Sequence, residues 1–169
     1  MNHNVVIEKD SIMLRQITID DIEKLRIWRN NPNNCKYLSK IPYISDIMQR
    51  NWFFSYLNNP DSMMFAIVEK NSLKRIVGSV CLYNFHEKSV ELGKLLIGDD
   101  EAHGKKIGYN TVLALVEYCF IKLDIKRIFL TVFEDNKVAL KIYKDVGFKV
   151  VEKRLNNSMI EYLMEYIKR

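Results

Sequence analysis

The sequence predicts an α+β (mixed α/β) domain, with a mixed but mostly antiparallel sheet of about seven strands flanked by about four helices. Residues 63–97 hold three β-type runs separated by short polar turns at 70–74 and 85–88, which marks antiparallel hairpins. From residue 98 the pattern changes to long helix, strand and helix, so a strand–helix–strand crossover follows the hairpins. The 169 residues, 48% hydrophobic and 28% charged, suit one packed domain, residues 1–169, without disordered tracts.

The elements follow in order. Residues 12–16 read as a strand, and Thr18 or Asp20 as the N-cap of a helix whose apolar spacing is Ile22, Leu25, Trp28. Pro32, within the polar stretch 30–34, stops that helix. A second helix runs from near Ser45 to about Leu57, with Ile44, Met48, Trp52 and Tyr56 repeating every four residues. Strands follow at 63–69, 75–84 and 89–97, and Gly78 and Gly93 inside them mark a bulge or a close backbone approach. The helix at 106–123 is apolar on most sides and therefore largely buried. A strand at 126–134 and a helix at 136–146, ended by Gly147, lead to closing strands at 148–153 and 159–167.

Composition excludes several classes. The net charge is +5, but no run of five basic residues suggests a nucleic-acid arm, so a polyanionic small molecule is the expected partner. The longest apolar run, residues 112–116, is too short to span a bilayer, and no basic segment followed by an apolar one opens the chain. A cytoplasmic protein with no membrane role is the expectation. Cys35, Cys81 and Cys119 are odd in number and widely spaced, which supports neither a disulfide framework nor a metal site.

The chemistry concentrates at a strand–loop–helix unit. His103, Gly104, Lys105, Lys106, Ile107, Gly108 and Tyr109 open the long helix. Glycines let backbone approach a ligand, and the unpaired first-turn N–H groups with the helix dipole favour an anion. Lys105 and Lys106 add positive charge, so a phosphate or pyrophosphate is expected there, although a glycine-flanked helix start is more often a plain cap. The Walker pattern is absent, because no Gly-Lys-Ser/Thr closes the loop.

Some thirty residues later, Asn136, Ala139, Tyr143, Gly147 and Phe148 form Asn-x-x-Ala-x-x-x-Tyr-x-x-x-Gly-Phe. This resembles the C-terminal signature of the GCN5-related N-acetyltransferases (GNAT superfamily), and His103–Gly108 lies where that family carries its pyrophosphate loop. The element order agrees along nearly the whole chain. His103 replaces the family's usual Gln or Arg, and Lys106 stands where a glycine is usual.

The resemblance implies an enzyme in which an amine attacks acetyl-CoA directly, through a ternary complex. It implies that His103, Gly104, Lys105, Lys106, Ile107, Gly108, Asn136 and Lys137 hold the cofactor, and that Leu95, Leu96 and Ile97 offer backbone groups to its pantetheine arm. The strand before the loop and the strand after the long helix splay apart in that family. Tyr143 is implied as the acid facing the sulfur, and Glu91 as the base, acting directly or through water. The alternatives are a core tyrosine, a cross-strand ion-pair partner, and an N-cap for Asn136. His86 and His103 are fallback bases, and a covalent cysteine route is disfavoured because no Cys–His pair is suggested by position. Lys141 and Lys144, with Lys137, are candidates for the 3′-phosphate.

The resemblance implies a small-molecule amine as the acceptor. Arg29, Asn30, Ile44, Ser45 and Trp52 resemble the pattern of the RimJ/RimL-like branch, and within it the enzymes that act on nucleotide-linked amino sugars. Arg29, Asn30, Lys36 and Trp52 are the acceptor candidates; Trp28 and Trp52 equally suit a core, and at least one belongs there. A ribosomal-protein N-terminus or a polyamine is an alternative acceptor, and a non-catalytic acyl-CoA-binding module an alternative of another class. The resemblance also suggests a homodimer, with Met159–Ile167 as a candidate shared edge strand.

Overall fold

The computed structural model describes residues 3–38 and 42–167. The elements are β1 (Val6–Lys9), β2 (Ile12–Gln16), α1 (Ile22–Asn30), α2 (Asp46–Leu57), β3 (Ser62–Glu69), β4 (Arg75–His86), β5 (Ser89–Ile97), a 3₁₀ turn (Asp100–Ala102), α3 (Ile107–Lys122), β6 (Arg127–Phe133), α4 (Lys137–Val146), β7 (Lys149–Asn156) and β8 (Met159–Ile167). One sheet takes the order β1-β2-β3-β4-β5-β6-β8-β7. Every neighbouring pair is antiparallel except β5–β6, which the α3 crossover makes parallel.

The sheet carries eight strands rather than about seven. The additional one, β1, is four half-exposed residues at the sheet's edge, too short and too polar to show a period. The expected edge strand Met159–Ile167 lies inside the sheet, between β6 and β7. The edge is β7, and its residues are exposed nearly throughout, so hydrophobic alternation could not bound it.

A three-layer stack results. One face of the sheet packs against α3 and α4 through a cluster that includes Leu14, Phe65, Val80, Leu92, Leu115, Ile128, Leu140 and Met164. The other face packs against α1 and α2 through Ile17, Leu25, Trp28, Phe53, Tyr56, Ile76 and Leu96. Among the described residues no helix is long and apolar enough to cross a membrane.

Two local findings revise the sequence reading. The α1 N-cap is Asp21, not Thr18 or Asp20. Its carboxylate accepts from Thr18 N at 2.8 Å and from Arg15 Nη1 at 2.6 Å, so it closes the turn before the helix rather than the helix's first turn. On α2 the core face is Gln49, Phe53 and Tyr56. Gln49 is buried because its Nε2 donates to the Ile22 carbonyl at 3.1 Å. Of the stripe Ile44, Met48, Trp52 and Tyr56, only Tyr56 enters the core, while the first three line a cavity.

Candidate active site

The β5–β6 pair runs in register only for Ser89↔Arg127, Val90↔Ile128 and Glu91↔Phe129, although β5 continues to Ile97 and β6 to Phe133. Beyond Glu91 the two strands part, and the gap places Leu95, Leu96 and Ile97 along an edge that β6 does not pair. Unpaired backbone groups of this kind invite an added extended chain. A bulge opens the gap. Cys81 pairs with Gly93 and Ser79 with Leu96, so Lys94 and Leu95 together oppose the single residue Val80. Lys94 takes φ 53°, in the left-handed region. The bulge also reverses the strand's facing: Leu92 and Leu96, four residues apart, lie in opposite core clusters.

The chain then turns into α3. Asp99 Oδ1 accepts from Glu101 N at 3.2 Å and starts the 3₁₀ turn, while Arg75 grips the Asp99 carboxylate at 2.8 and 3.1 Å. His103 donates from Nε2 to the Ile97 carbonyl at 3.2 Å, so its ring ties the loop to the end of β5. Gly104 has φ 78°, and Lys106, the α3 N-cap, has φ 57° with no side-chain cap. Lys106 therefore holds the left-handed backbone suited to glycine, its side chain exposed beside that of Lys105. The N–H groups of Ile107, Gly108 and Tyr109 begin the helix without intrahelical partners. Gly108 serves packing: a Cβ there would meet Ile142 Cδ1 of α4 at 3.0 Å.

On α4, Asn136 is the N-cap, its Oδ1 accepting from Ala139 N at 3.2 Å. Lys137 and Lys144 are exposed. Lys141 is paired with Asp145 at 2.7 Å on the exposed side of α4. Tyr143 is buried against Phe148, ring centroids 5.9 Å apart, and its hydroxyl has no hydrogen-bond partner among the described residues. Burial pushes its phenol up to about 12. It lies within electrostatic reach of Tyr83, whose own phenol is raised by burial and by Glu91.

Beside the gap is a cavity of about 590 Å³, walled by Glu91, Tyr83, Lys94, Arg29, Trp52 and Tyr37 among others. Glu91 Oε1 accepts from the Tyr83 hydroxyl at 2.7 Å and Oε2 from Asn84 Nδ2 at 2.8 Å. The carboxylate is thus fixed by two neutral donors rather than by a cross-strand lysine. Tyr37 donates its hydroxyl to the Asp135 carbonyl at 2.9 Å, which carries the segment after α1 across to the residue before Asn136. Trp52 stacks on Tyr56, with centroids 5.8 Å apart.

Of the acceptor candidates, Arg29 and Trp52 line this cavity and Asn30 and Lys36 do not. Asn30 clamps Ile44 through both backbone groups, Nδ2 to the carbonyl at 2.9 Å and Oδ1 from N–H at 2.9 Å. Lys36 lies over the Tyr37 ring, 5.0 Å from its centroid. Trp28 is a core residue packed on Gly98, where an added Cβ would sit 2.2 Å from its ring. His86 is exposed at the end of the β4–β5 hairpin and does not line the cavity.

Sequence reasoning missed Tyr83, Asn84, Lys94 and Tyr37. A regular hairpin closed at His86↔Ser89 would set Tyr83 opposite Leu92, but an irregularity moves it opposite Glu91. The Gly93 position was a signal, because a side chain there would meet the Tyr83 hydroxyl at 2.7 Å.

A protein-family model described as an acetyltransferase (GNAT) domain matches residues 11–149. The chain is 30% identical over 155 residues to an uncharacterized protein of Methanocaldococcus jannaschii, covering 90% of this chain and 31% of that one, so it spans about a third of that relative's length. It is 26% identical over 137 residues to the acetyltransferase PseH of Campylobacter jejuni, covering 81% of this chain and 82% of that protein. Among solved structures, spermidine N-acetyltransferase from Vibrio cholerae in complex with CoA and spermine has the same fold, with a TM-score of 0.84 at 20% identity, over 94% of this chain and 96% of that one.

Proposed function

The chain belongs to the acetyltransferase (GNAT) family, and from that premise we propose that it moves the acetyl group of acetyl-CoA directly onto a primary amine of a nucleotide-linked amino sugar. The observation that carries this is the parting of β5 from β6 after Glu91, with the uncapped start of α3 at the end of the same strand. The free strand edge at Leu95–Ile97 suits the amides of a pantetheine arm. The first-turn N–H groups of α3, with Lys105 and Lys106, suit a pyrophosphate. Asn136 keeps its amide nitrogen for the same ligand, and Lys137 stands beside it at the start of α4.

The amine enters from the cavity. Glu91, fixed by Tyr83 and Asn84, takes its proton directly or through one water. The amine nitrogen bonds to the thioester carbon, the carbon–sulfur bond breaks, and Tyr143 donates to the departing sulfur. A phenol at about 12 is a poor acid toward a solvated thiol of about 8.5. Tyr143 therefore holds a hydrogen bond on the departing thiolate, which takes its final proton from solvent.

Among the described residues the cavity's charged lining is Arg29, Lys94 and Glu91. A polyamine or basic peptide would ask for several carboxylates, whereas this balance favours an acceptor that carries negative charge beside its amine. Thiol release from acetyl-CoA across a panel of amines tests the reading. Turnover with an amino sugar and a fall of about tenfold to a hundredfold in kcat for Glu91→Gln are expected. Tight CoA binding without turnover on any amine would instead describe a non-catalytic module. Absence of calorimetric heat with CoA would remove the assignment altogether.

A further inference from the structure

We propose that Lys94 is the specificity residue of the acceptor cavity, its ammonium receiving an anionic group, of the nucleoside-diphosphate class, on the molecule that carries the amine. This deepens the amino-sugar reading and rests on it. Three observations lead to Lys94.

Its backbone is placed deliberately. In the β5 bulge the left-handed φ of 53° falls on Lys94, while the neighbouring Gly93, which would bear it without cost, does not have a positive φ. Gly93 is needed for another reason, the closeness of the Tyr83 hydroxyl. Plain alternation from Val90 and Leu92, both in the cluster beneath α3, would turn Lys94 toward that same core. The bulge releases it, and Lys94 is exposed and lines the cavity instead.

Its charge is left over. Lys94 Nζ sits over the Tyr83 ring, 4.8 Å from the centroid, and among the described residues no carboxylate pairs with it. Lys9, Lys70, Lys88, Lys126, Lys141 and Lys153 are all paired with acids. Glu91, the one acid in the cavity lining among the described residues, is occupied by Tyr83 and Asn84.

Its position is also suitable. Tyr83 touches both groups, donating to Glu91 at one end and offering its ring face to Lys94. An acceptor that sets its amine at Glu91 therefore meets Lys94 close by, with Arg29 as a second cation on the cavity wall and Trp52 as an aromatic face for a base or sugar.

The test compares UDP-glucosamine with glucosamine as acceptors, at saturating acetyl-CoA, in wild type, Lys94→Gly and Lys94→Arg. Glycine removes the charge and retains the backbone the bulge requires. The expected result is a fall of about tenfold in the ratio of kcat/KM for UDP-glucosamine over glucosamine in Lys94→Gly, largely restored in Lys94→Arg. UDP binding by calorimetry, with CoA saturating so that the cofactor cleft is filled, should weaken about tenfold in Lys94→Gly. That difference should shrink as salt rises. An unchanged ratio with active enzyme, equal UDP affinity in wild type and variant, or no UDP binding to wild type overturns the proposal. Failure of the amino-sugar reading looks different: no thiol release with either sugar, while UDP affinity still depends on Lys94. That outcome keeps the anion site and discards the acceptor.

Discussion

The cofactor side of the cleft and the acceptor side are made of different things. On the side proposed for the cofactor the surface is mainly backbone: the free edge of β5 past Glu91, the left-handed turns at Gly104 and Lys106, and the unpaired start of α3. On the acceptor side the wall is side chains gathered from many segments: Arg29 of α1, Tyr37 after it, Trp52 of α2, Tyr83 of β4, and Glu91 and Lys94 of β5. A backbone-built site needs only a local geometry, which a short motif specifies. A site of convergent side chains exists only once the layers have packed. The two meet at Gly98, where the end of the cofactor strand abuts the Trp28 ring of the acceptor helix, and at the Tyr37–Asp135 hydrogen bond.

The comparison can be broken most sharply at the acid. Tyr143→Phe keeps the ring against Phe148 and removes only the donor, so kcat should fall about a hundredfold with little change in the KM for acetyl-CoA. An unchanged kcat would exclude Tyr143 from the chemistry. Because burial holds its phenol up to about 12, ionisation of Tyr143 should cause no loss of activity up to about pH 10, and a rate profile in stable buffers checks this.

The junction comes next. Gly98→Ala would set a Cβ 2.2 Å from Trp28 Cγ, an overpacking cost of about 1–3 kcal/mol. Thermal unfolding should shift down by several degrees, and the acceptor KM should rise more than the acetyl-CoA KM as α1 is pushed away. Equal movement of both constants would mean that the halves are not separable.

Lys106→Gly separates backbone from charge within the cofactor side. It relieves a left-handed residue and should raise the melting temperature by about 2 °C, while loss of the cation should raise the acetyl-CoA KM about threefold. A KM that does not move would leave the loop's backbone as the whole of its contribution. The smallest effect belongs to Lys141→Ala. Its ammonium is held by Asp145, so the acetyl-CoA KM should change less than about twofold.

Much of the fold was legible. The spans Ser89–Ile97 and Met159–Ile167 follow from the sequence to the residue, and Ser45, Asn136 and Gly147 cap helices as their types require. Legibility failed where a segment lacks a buried face, as in β1 and β7, or where spatial order departs from chain order, as with β8 inserted between β6 and β7. It failed again around α2, where the stripe Ile44, Met48, Trp52 and Tyr56 has the period of a core, yet only Tyr56 is buried in it and the other three face a cavity. Periodicity reports that one side of a helix is apolar; it does not report what that side meets.

The sequence by itself determined the class of chemistry. The motif from Asn136 to Phe148 and the loop from His103 to Gly108 are local, and their caps and free N–H groups follow from residue type and spacing, although the left-handed turn at Lys106 does not. Only the tertiary structure decided that Asn30 clamps Ile44 while Arg29 lines the cavity, that Tyr83 and Asn84 fix Glu91, and that a bulge turns Lys94 out of the core. The first follows from how the helices pack; the last two depend on the register between strands. A shift of one residue there sends a side chain to the opposite face, and no single strand's sequence records the shift.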